Sequence, residues 1–348
     1  MCDGDNNISH RRIYLSEETK EVLEKIDRVA VHASDLDGIA SAAILLLLKP
    51  TLKIDFLTVT EAKKAPAIYD LVVDLPKIGD AINIDHHKTN FENLLQSCRL
   101  SDRDLVDPAS PSATALLAKY LGIDSDPHIE KIVEIANLAD TGKFTEGIYL
   151  IDKIIKCYSR NQEALLKVAW AVAKYGDRFL EDPWLRGEIS RLQKVFDQCK
   201  DLSKFVVEET IKKRNVKALI LHVESGVPRI CIGDLMHDFI ESGGKIVVLI
   251  NTMREKDPYC PSLTENMGQH TARISVRVRD VEFDARKFLE RFGGGGHSVA
   301  AGAKLPVDLL PMFLLEAFQE LSRVLGEVLY LNINRDMLGS IYQGNFNV

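Results

Sequence analysis

The chain has 348 residues, of which 46% are hydrophobic and 27% are charged. This balance is typical of a folded globular protein with a sizeable core, and it excludes a disordered chain or a small disulfide scaffold. The formal net charge is −7, with 16 Lys and Arg against 25 Asp and Glu in residues 1–150, and 28 against 26 in residues 151–348; the acidic first part would disfavour nucleic acid unless its carboxylates bind metal.

The first part of the chain alternates short apolar runs with helical stretches. Strands are predicted at residues 28–32, 53–59, 69–73 and 81–84, and helices at 38–48, 111–121 and 128–138. Strands separated by helices predict an α/β fold with a parallel sheet. The apolar run 39–48 is shorter than the roughly 20 residues of a membrane helix, and it predicts a buried core helix.

The remaining residues predict a helical linker and a second α/β domain. Residues 151–214 contain no clear strand. Strands are then predicted at 216–223, 245–251 and 273–279, and helices at 234–242, 284–292 and 309–325. We therefore divide the chain into a first domain of residues 1–150, a linker of 151–214, a smaller second domain of 215–330 and a tail of 331–348.

The cysteines and the N-terminus indicate a reducing, cytoplasmic setting without a membrane anchor. None of the six cysteines stands in a CxxC pair, which argues against a zinc knuckle or a redox motif. Residues 1–12 are polar and lack the apolar core of a signal peptide. The simplest interpretation is that the cysteines are reduced.

Carboxylates and histidines are concentrated directly after predicted strands. His32, Asp35 and Asp37 follow the first strand, Asp74 follows the run 71–73, and residues 85–87 (Asp-His-His) follow the run 82–84. The carboxyl ends of parallel strands share one edge of a sheet, so these segments are expected to converge there.

Asp140, at the end of a predicted helix, is a further candidate ligand. A single Asp directly after a strand, such as Asp35 or Asp37, is usually a turn residue or the N-cap of the following helix, but the whole set together predicts metal ligands. Mixed histidine and carboxylate ligands favour Mn²⁺, and their number suits two ions about 3.5–4 Å apart, as in enzymes that displace phosphate esters.

These motifs resemble the DHH phosphoesterase superfamily. The resemblance is carried by residues 85–87, by the upstream motif with His32, Asp35, Asp37 and Gly38, and by Asp74 between them. Residues 292–303, Phe-Gly-Gly-Gly-Gly-His-Ser-Val-Ala-Ala-Gly-Ala, are similar to the glycine-rich signature of the DHHA1 domain of one branch. The resemblance covers about residues 28–305, and it implies an active site in a cleft between two domains.

The resemblance also implies a role for each site residue. His32 and Asp35 would bind the first metal ion, Asp37, His86 and Asp140 the second, and Asp74 both. His87 would face the scissile phosphate, and Asp85 would orient and charge-balance the histidines. The implied cofactor is a pair of Mn²⁺ ions, with Mg²⁺ or Co²⁺ as substitutes.

Substrate contacts are expected in the second domain. The glycines can bring backbone N–H groups close to a phosphate, and His297 adds a side-chain donor. Arg277 can form a bidentate contact with a phosphate. The predicted substrate-binding residues are Arg277, Gly294, Gly295, Gly296 and His297.

The expected function is metal-dependent hydrolysis of short single-stranded RNA or DNA to nucleoside monophosphates, with 3′,5′-bisphosphate nucleotides as a further substrate class. Few aromatic residues surround the motifs, so a stacking platform for long strands is not predicted. The alternatives are a RecJ-like exonuclease, a cyclic-dinucleotide phosphodiesterase, an exopolyphosphatase and a nucleic-acid-binding accessory subunit of a repair or replication complex. The sequence leaves cleavage polarity and oligomeric state open, with a homodimer as one alternative.

Overall fold

The structure is a computed structural model that describes residue 13 and residues 15–254, 257–260, 263 and 271–336. The chain divides into two compact units, residues 1–191 and 192–348. The boundary between them falls inside a helix of 25 residues that begins at Pro183.

The first unit contains a sheet of five parallel strands. They are β1 (Arg28–His32), β2 (Lys53–Leu57), β3 (Leu71–Val73), β4 (Ile82–Asp85) and β5 (Leu105–Val106). Their order in the sheet is β2-β1-β3-β4-β5. The predicted parallel sheet is confirmed. β5 was not predicted, since a two-residue strand has no periodicity to detect.

The helices of the first unit are α1 (Glu17–Glu24), α2 (Leu36–Leu48), α3 (Val59–Ala62), α4 (Lys88–Gln96), α5 (Ala113–Tyr120), α6 (Pro127–Asp140), α7 (Glu146–Cys157) and α8 (Gln162–Tyr175). The next helix, α9 (Pro183–Val207), spans the boundary between the units. The predicted core helix is confirmed, because residues 36–46 of α2 are all buried. The strand predicted to run to residue 59 ends at Leu57, because Thr58 forms a capping box with Glu61 and starts α3. Among the described helices, none has the length and hydropathy needed to cross a bilayer.

The second unit contains a mixed sheet. Its strands are β6 (Ala218–Val223), β7 (Ile246–Asn251), β8 (Thr271–Val278), β9 (Gly295–Gly296), β10 (Ala300–Pro306) and β11 (Val328–Ile333). Its helices are α10 (Ile232–Glu241), α11 (Ala285–Glu290) and α12 (Leu310–Leu325). The strand order is β11-β6-β7-β8-β10-β9, with β11, β6 and β7 parallel and the others antiparallel. The Gly- and Ala-rich β10 was not predicted, because its residues have low strand propensity.

The expectation that all cysteines are reduced is wrong for Cys157, Cys199, Cys231 and Cys260, which are disulfide-bonded. Cys199 and Cys231 pair with each other. The two residues are 32 positions apart in sequence, and the fold brings their Cα atoms to 4.8 Å and joins them in a disulfide. Both are fully buried. Spacing alone could not reveal the pair, because α9 and the turn before α10 meet only in the tertiary structure.

Candidate metal centre

The predicted ligands lie at the carboxyl edge of the first sheet. β1, β3 and β4 are neighbours in that sheet, so their carboxyl ends lie side by side. His32 is the last residue of β1, Asp74 follows β3, and Asp85 is the last residue of β4. Asp74 has a φ of 57°, a left-handed conformation that Asp and Asn tolerate better than most residues.

Three of these residues form what we call the His32 cluster: His32, Asp35 and Asp74. The Nδ1 atom of His32 lies 2.6 Å from Oδ2 of Asp35 and 3.3 Å from Oδ2 of Asp74. Asp35 is the N-cap of α2, where its Oδ1 accepts the N–H of Gly38. Asp35 therefore is a helix cap, as an Asp after a strand usually is. Its other oxygen, Oδ2, lies beside His32.

A second group, the His86 cluster, contains Asp37, His86 and Asp140. The Nε2 atom of His86 lies 3.7 Å from Oδ2 of Asp37 and 3.4 Å from Oδ2 of Asp140. The same atom lies 3.8 Å from Oδ1 of Asp74. Asp74 thus has one oxygen beside each cluster, which is the position required of a ligand shared by two ions.

Burial and mutual repulsion perturb the acids of these clusters. Burial, followed by the charges of Asp35 and Asp37, raises the pKa of Asp74 well above its usual range. Burial likewise raises the pKa of Asp37 to about 6. Although burial opposes it, the carboxylates of Asp35 and Asp74 raise the pKa of His32 to about 11. Ionising all of these carboxylates together is therefore unfavourable in the protein alone, and a bound cation would relieve that cost.

Two buried atoms at the junction of the clusters have no hydrogen-bond partner among the described residues. They are Oδ1 of Asp74 and Nε2 of His86. Buried polar atoms of this kind are rare in folded proteins and call for an unseen partner. An oxygen and an imidazole nitrogen 3.8 Å apart suit a divalent cation such as Mn²⁺, so the donor set fits the expected metal.

Asp85 belongs to a third group of possible metal ligands, with Asp74, His86 and His87, but its oxygens also accept hydrogen bonds. Its Oδ1 accepts hydrogen bonds from the backbone N–H groups of His86 and His87 and lies 2.8 Å from Nδ1 of His87. Its Oδ2 accepts the Nδ2–H of Asn90 at 2.6 Å. The hydrogen bond that the Asp85 carboxylate accepts from the His87 ring raises the pKa of His87. The side chain of His87 is half exposed.

Sequence reasoning missed the polar residues that hold these ligands in place. Asn90 is buried and also contacts the buried amide of Asn83, 2.9 Å away. Thr114 and Ser112 are fully buried at the start of α5, and the hydroxyl of Ser112 contacts Asn137 of α6. In the sequence, these residues are visible only as a Ser-x-Thr pair at the start of a helix. Only the fold shows which side chains the pair contacts.

In the second unit, Arg277 lies beside the glycine-rich segment. Arg277 of β8 is paired with Ala300 of β10, and β10 is paired on its other side with Gly295–Gly296. Within the described residues, its guanidinium has a hydrogen bond only to the carbonyl of Val276 and no carboxylate partner. Partial desolvation lowers the pKa of Arg277. An arginine without an acid beside it is a suitable contact for an anion.

The glycines of this segment differ in what they do. The N–H of Gly294 donates to the carbonyl of Leu289 at the end of α11, so this N–H is already used within the protein. A Cβ on Gly294 would lie 2.6 Å from the carbonyl oxygen of Gly302, and one on Gly296 would lie 2.6 Å from that of Ala300. A Cβ on Gly295 would meet nothing within 4 Å. His297 is exposed at the turn.

Comparison with known proteins agrees with this architecture. Residues 210–328 match the DHHA1 domain family. No curated protein matches the chain. Among solved structures, the pGpG-specific phosphodiesterase PggH from Vibrio cholerae is 14% identical, with a TM-score of 0.58; the match covers 85% of this chain and 99% of that one.

A second similar structure is RecJ from Thermus thermophilus in complex with Mg²⁺. It is 18% identical with a TM-score of 0.53, and the match covers 96% of this chain but only 58% of RecJ. At such identities the likeness concerns the fold. The family that the sequence motifs indicated is supported by the DHHA1 domain and by these folds together.

Proposed function

Because the chain combines a DHHA1 domain with the fold of DHH phosphoesterases, we propose that it is a phosphodiesterase that uses two divalent cations, with Mn²⁺ preferred. Its proposed substrates are short single-stranded oligonucleotides, which it hydrolyses to nucleoside monophosphates, and 3′,5′-bisphosphate nucleotides.

The observation that carries the proposal is the pair of clusters joined by Asp74. Each cluster supplies histidine and carboxylate donors, and one Asp74 oxygen lies beside each. The His32 cluster would hold one ion and the His86 cluster the other. When bound, such a metal pair supplies Lewis-acid activation of a phosphate ester and of the attacking water.

The protein's own groups would orient the ester. His87 uses Nδ1 to contact Asp85, which leaves Nε2 as the ring nitrogen for a substrate oxygen. Its raised pKa favours the imidazolium form, which can donate a hydrogen bond to a phosphate oxygen as charge develops. Asp85 fixes the His87 ring and is therefore a positioning residue.

The direct test is hydrolysis by the full chain of a substrate panel with Mn²⁺. The panel contains labelled dinucleotides, longer single strands, a cyclic dinucleotide, a 3′,5′-bisphosphate nucleotide and polyphosphate. Fastest turnover of dinucleotides supports the proposal. Preference for long strands, cyclic dinucleotides or polyphosphate would select the corresponding alternative enzyme, and strand binding without turnover would identify an accessory subunit.

Arg277 is proposed to bind a substrate phosphate, because its guanidinium has no carboxylate partner among the described residues. Loss of such a charge-assisted contact costs about 1.5–3 kcal/mol, or roughly 10- to 150-fold in affinity. Arg277→Ala should therefore raise KM for a dinucleotide. It should affect bis-p-nitrophenyl phosphate less, because that ester has no second phosphate. His297→Ala should behave in the same way.

The matched control is Arg279→Ala, since Arg279 already forms an ion pair with Glu241. It should leave both substrates unaffected, and bound Mn²⁺ should be unchanged in all three variants. Equal losses on both substrates in Arg277→Ala, or loss of bound metal, would show that Arg277 is not a phosphate contact.

The glycine-rich segment allows structural and substrate roles to be separated. Gly294→Ala should destabilise the protein by about 1–3 kcal/mol, because the new methyl group would overlap the backbone of β10. Gly295→Ala has room, and should change stability by less than about 0.5 kcal/mol. If a phosphate lies against this backbone, Gly295→Ala should still raise KM. Thermal unfolding and dinucleotide kinetics measure the two effects, and an unchanged KM would remove Gly295 from the binding site.

A further inference from the structure

One short segment, residues 110–114, contacts two members of the His86 cluster, His86 and Asp37, and the helix that carries the third. The carbonyl of Ser110 lies 3.4 Å from Nδ1 of His86. The hydroxyl of Ser112 is 2.6 Å from Oδ1 of Asn137, which lies one turn before Asp140 on α6. The strongest contacts are made to Asp37 by the first turn of α5.

Asp37 is 1% exposed and receives three hydrogen bonds from this turn. Its Oδ1 accepts the backbone N–H of Thr114 at 2.9 Å and the hydroxyl of Thr114 at 2.6 Å. Its Oδ2 accepts the N–H of Ala113 at 2.7 Å. The Thr114 hydroxyl also lies 2.9 Å from the carbonyl of Asp37, but Oδ1 is closer and carries charge.

A carboxylate has about four acceptor positions, two on each oxygen. Both positions on Oδ1 are used by Thr114, and one on Oδ2 is used by Ala113. The position that remains is on Oδ2, the oxygen that lies 3.7 Å from Nε2 of His86. The α5 turn therefore leaves Asp37 with one free lone pair, and that lone pair is on the oxygen beside His86.

We propose that Thr114 is a positioning residue that restricts Asp37 to monodentate metal ligation through Oδ2 and thereby selects Mn²⁺ and Mg²⁺ over Ca²⁺. This proposal rests on the metal centre proposed above. Ca²⁺ takes six to eight oxygen ligands and often binds carboxylates through both oxygens, whereas Mg²⁺ requires near-octahedral geometry with short bonds. Occupying Oδ1 with two hydrogen bonds removes the second oxygen that Ca²⁺ would use.

The test is metal binding to the metal-free full chain, measured by calorimetry with Mn²⁺ and with Ca²⁺. Thr114→Val removes the hydroxyl and keeps the N–H. We expect one of the two Mn²⁺ ions to bind roughly ten-fold more weakly, as for the loss of other groups that orient ligands. We expect the ratio of Ca²⁺ to Mn²⁺ affinity at that site to rise, and Thr114→Ser to restore both values.

Thr210→Val is the control, because Thr210 is equally buried and, in the part of the chain that the structure describes, its hydroxyl donates only to the carbonyl of Val206. It should leave both affinities unchanged. If Thr114→Val does not fold, Ser41→Ala takes its place. The Ser41 hydroxyl lies 3.0 Å from that of Thr114 and orients it, so a smaller shift in the same direction is expected.

The outcomes separate this proposal from the proposed function. Suppose that the wild type binds two Mn²⁺ ions and that the Thr114 or Ser41 variant has the same affinities and the same ratio of Ca²⁺ to Mn²⁺ affinity. That result would overturn the role of Thr114 and leave the proposed function standing. Failure of Thr114→Ser to restore binding would also overturn it. A wild-type chain that binds no Mn²⁺ would overturn both proposals.

Discussion

Replacing Asp74 with Asn is expected to reduce hydrolysis by more than about 100-fold, since loss of groups that merely orient metal ligands already costs roughly 10- to 100-fold. Among the described residues, Asp74 alone has one oxygen beside His32 and the other beside His86. Its loss should therefore affect the ion proposed at each cluster. Asn is the suitable replacement because the residue has a φ of 57°, where Ala would add a backbone cost of about 1–2 kcal/mol.

The same variant should fold, and it should be more stable than the wild type when metal is absent. The pKa of Asp74 is raised in the folded protein by burial and by neighbouring acids, so ionised Asp74 destabilises the metal-free fold at neutral pH. Neutral Asn removes that cost. Asp55→Asn is the control, because Asp55 forms an ion pair with Arg28 outside both clusters. Turnover by Asp74→Asn near the wild-type rate would show that Asp74 is only a residue of the strand end.

Removal of metal is expected to abolish hydrolysis and to lower thermal stability. Addition of Mn²⁺ at about 100 times its Kd should stabilise the fold by about 2.7 kcal/mol, which corresponds to roughly 5–10 °C in Tm for a unit of this size. EDTA should reverse both effects, and Mg²⁺ or Co²⁺ should restore activity. Full activity after exhaustive chelation would refute the two-metal proposal.

The metal-free protein should also show a distinctive pH dependence. In the folded state Asp74 has a raised pKa, while in the unfolded state it ionises near its ordinary value of 3.8. As pH falls from about 7 to about 5, the folded state therefore takes up more protons from this group than the unfolded state, and stability rises. The Tm of the wild type relative to Asp74→Asn should increase over this range without metal. A constant difference would contradict the raised pKa.

The sequence by itself determined the parallel sheet and the edge where the ligands lie. Apolar runs such as 29–31 and 71–73 are continuous because parallel strands are buried on both faces, and a polar residue directly after such a run is expected at the sheet edge. Strand polarity then brings His32, Asp74 and Asp85 to one edge, whatever the packing details. The α/β class followed from residue patterns alone, and the DHH and DHHA1 resemblance from motifs short enough to be read along the chain.

Only the tertiary structure decided which atoms face one another. Asp85 stands in the motif beside His86, yet its oxygens are taken by backbone N–H groups, His87 and Asn90, which the local turn and α4 bring to it. Asp37 and Thr114 are 77 positions apart, and their contact depends on how α5 packs against α2. The Cys199–Cys231 disulfide likewise depends on tertiary packing, because its two cysteines are 32 positions apart in sequence. Contacts between residues distant in sequence leave no local periodicity, so packing alone decides them.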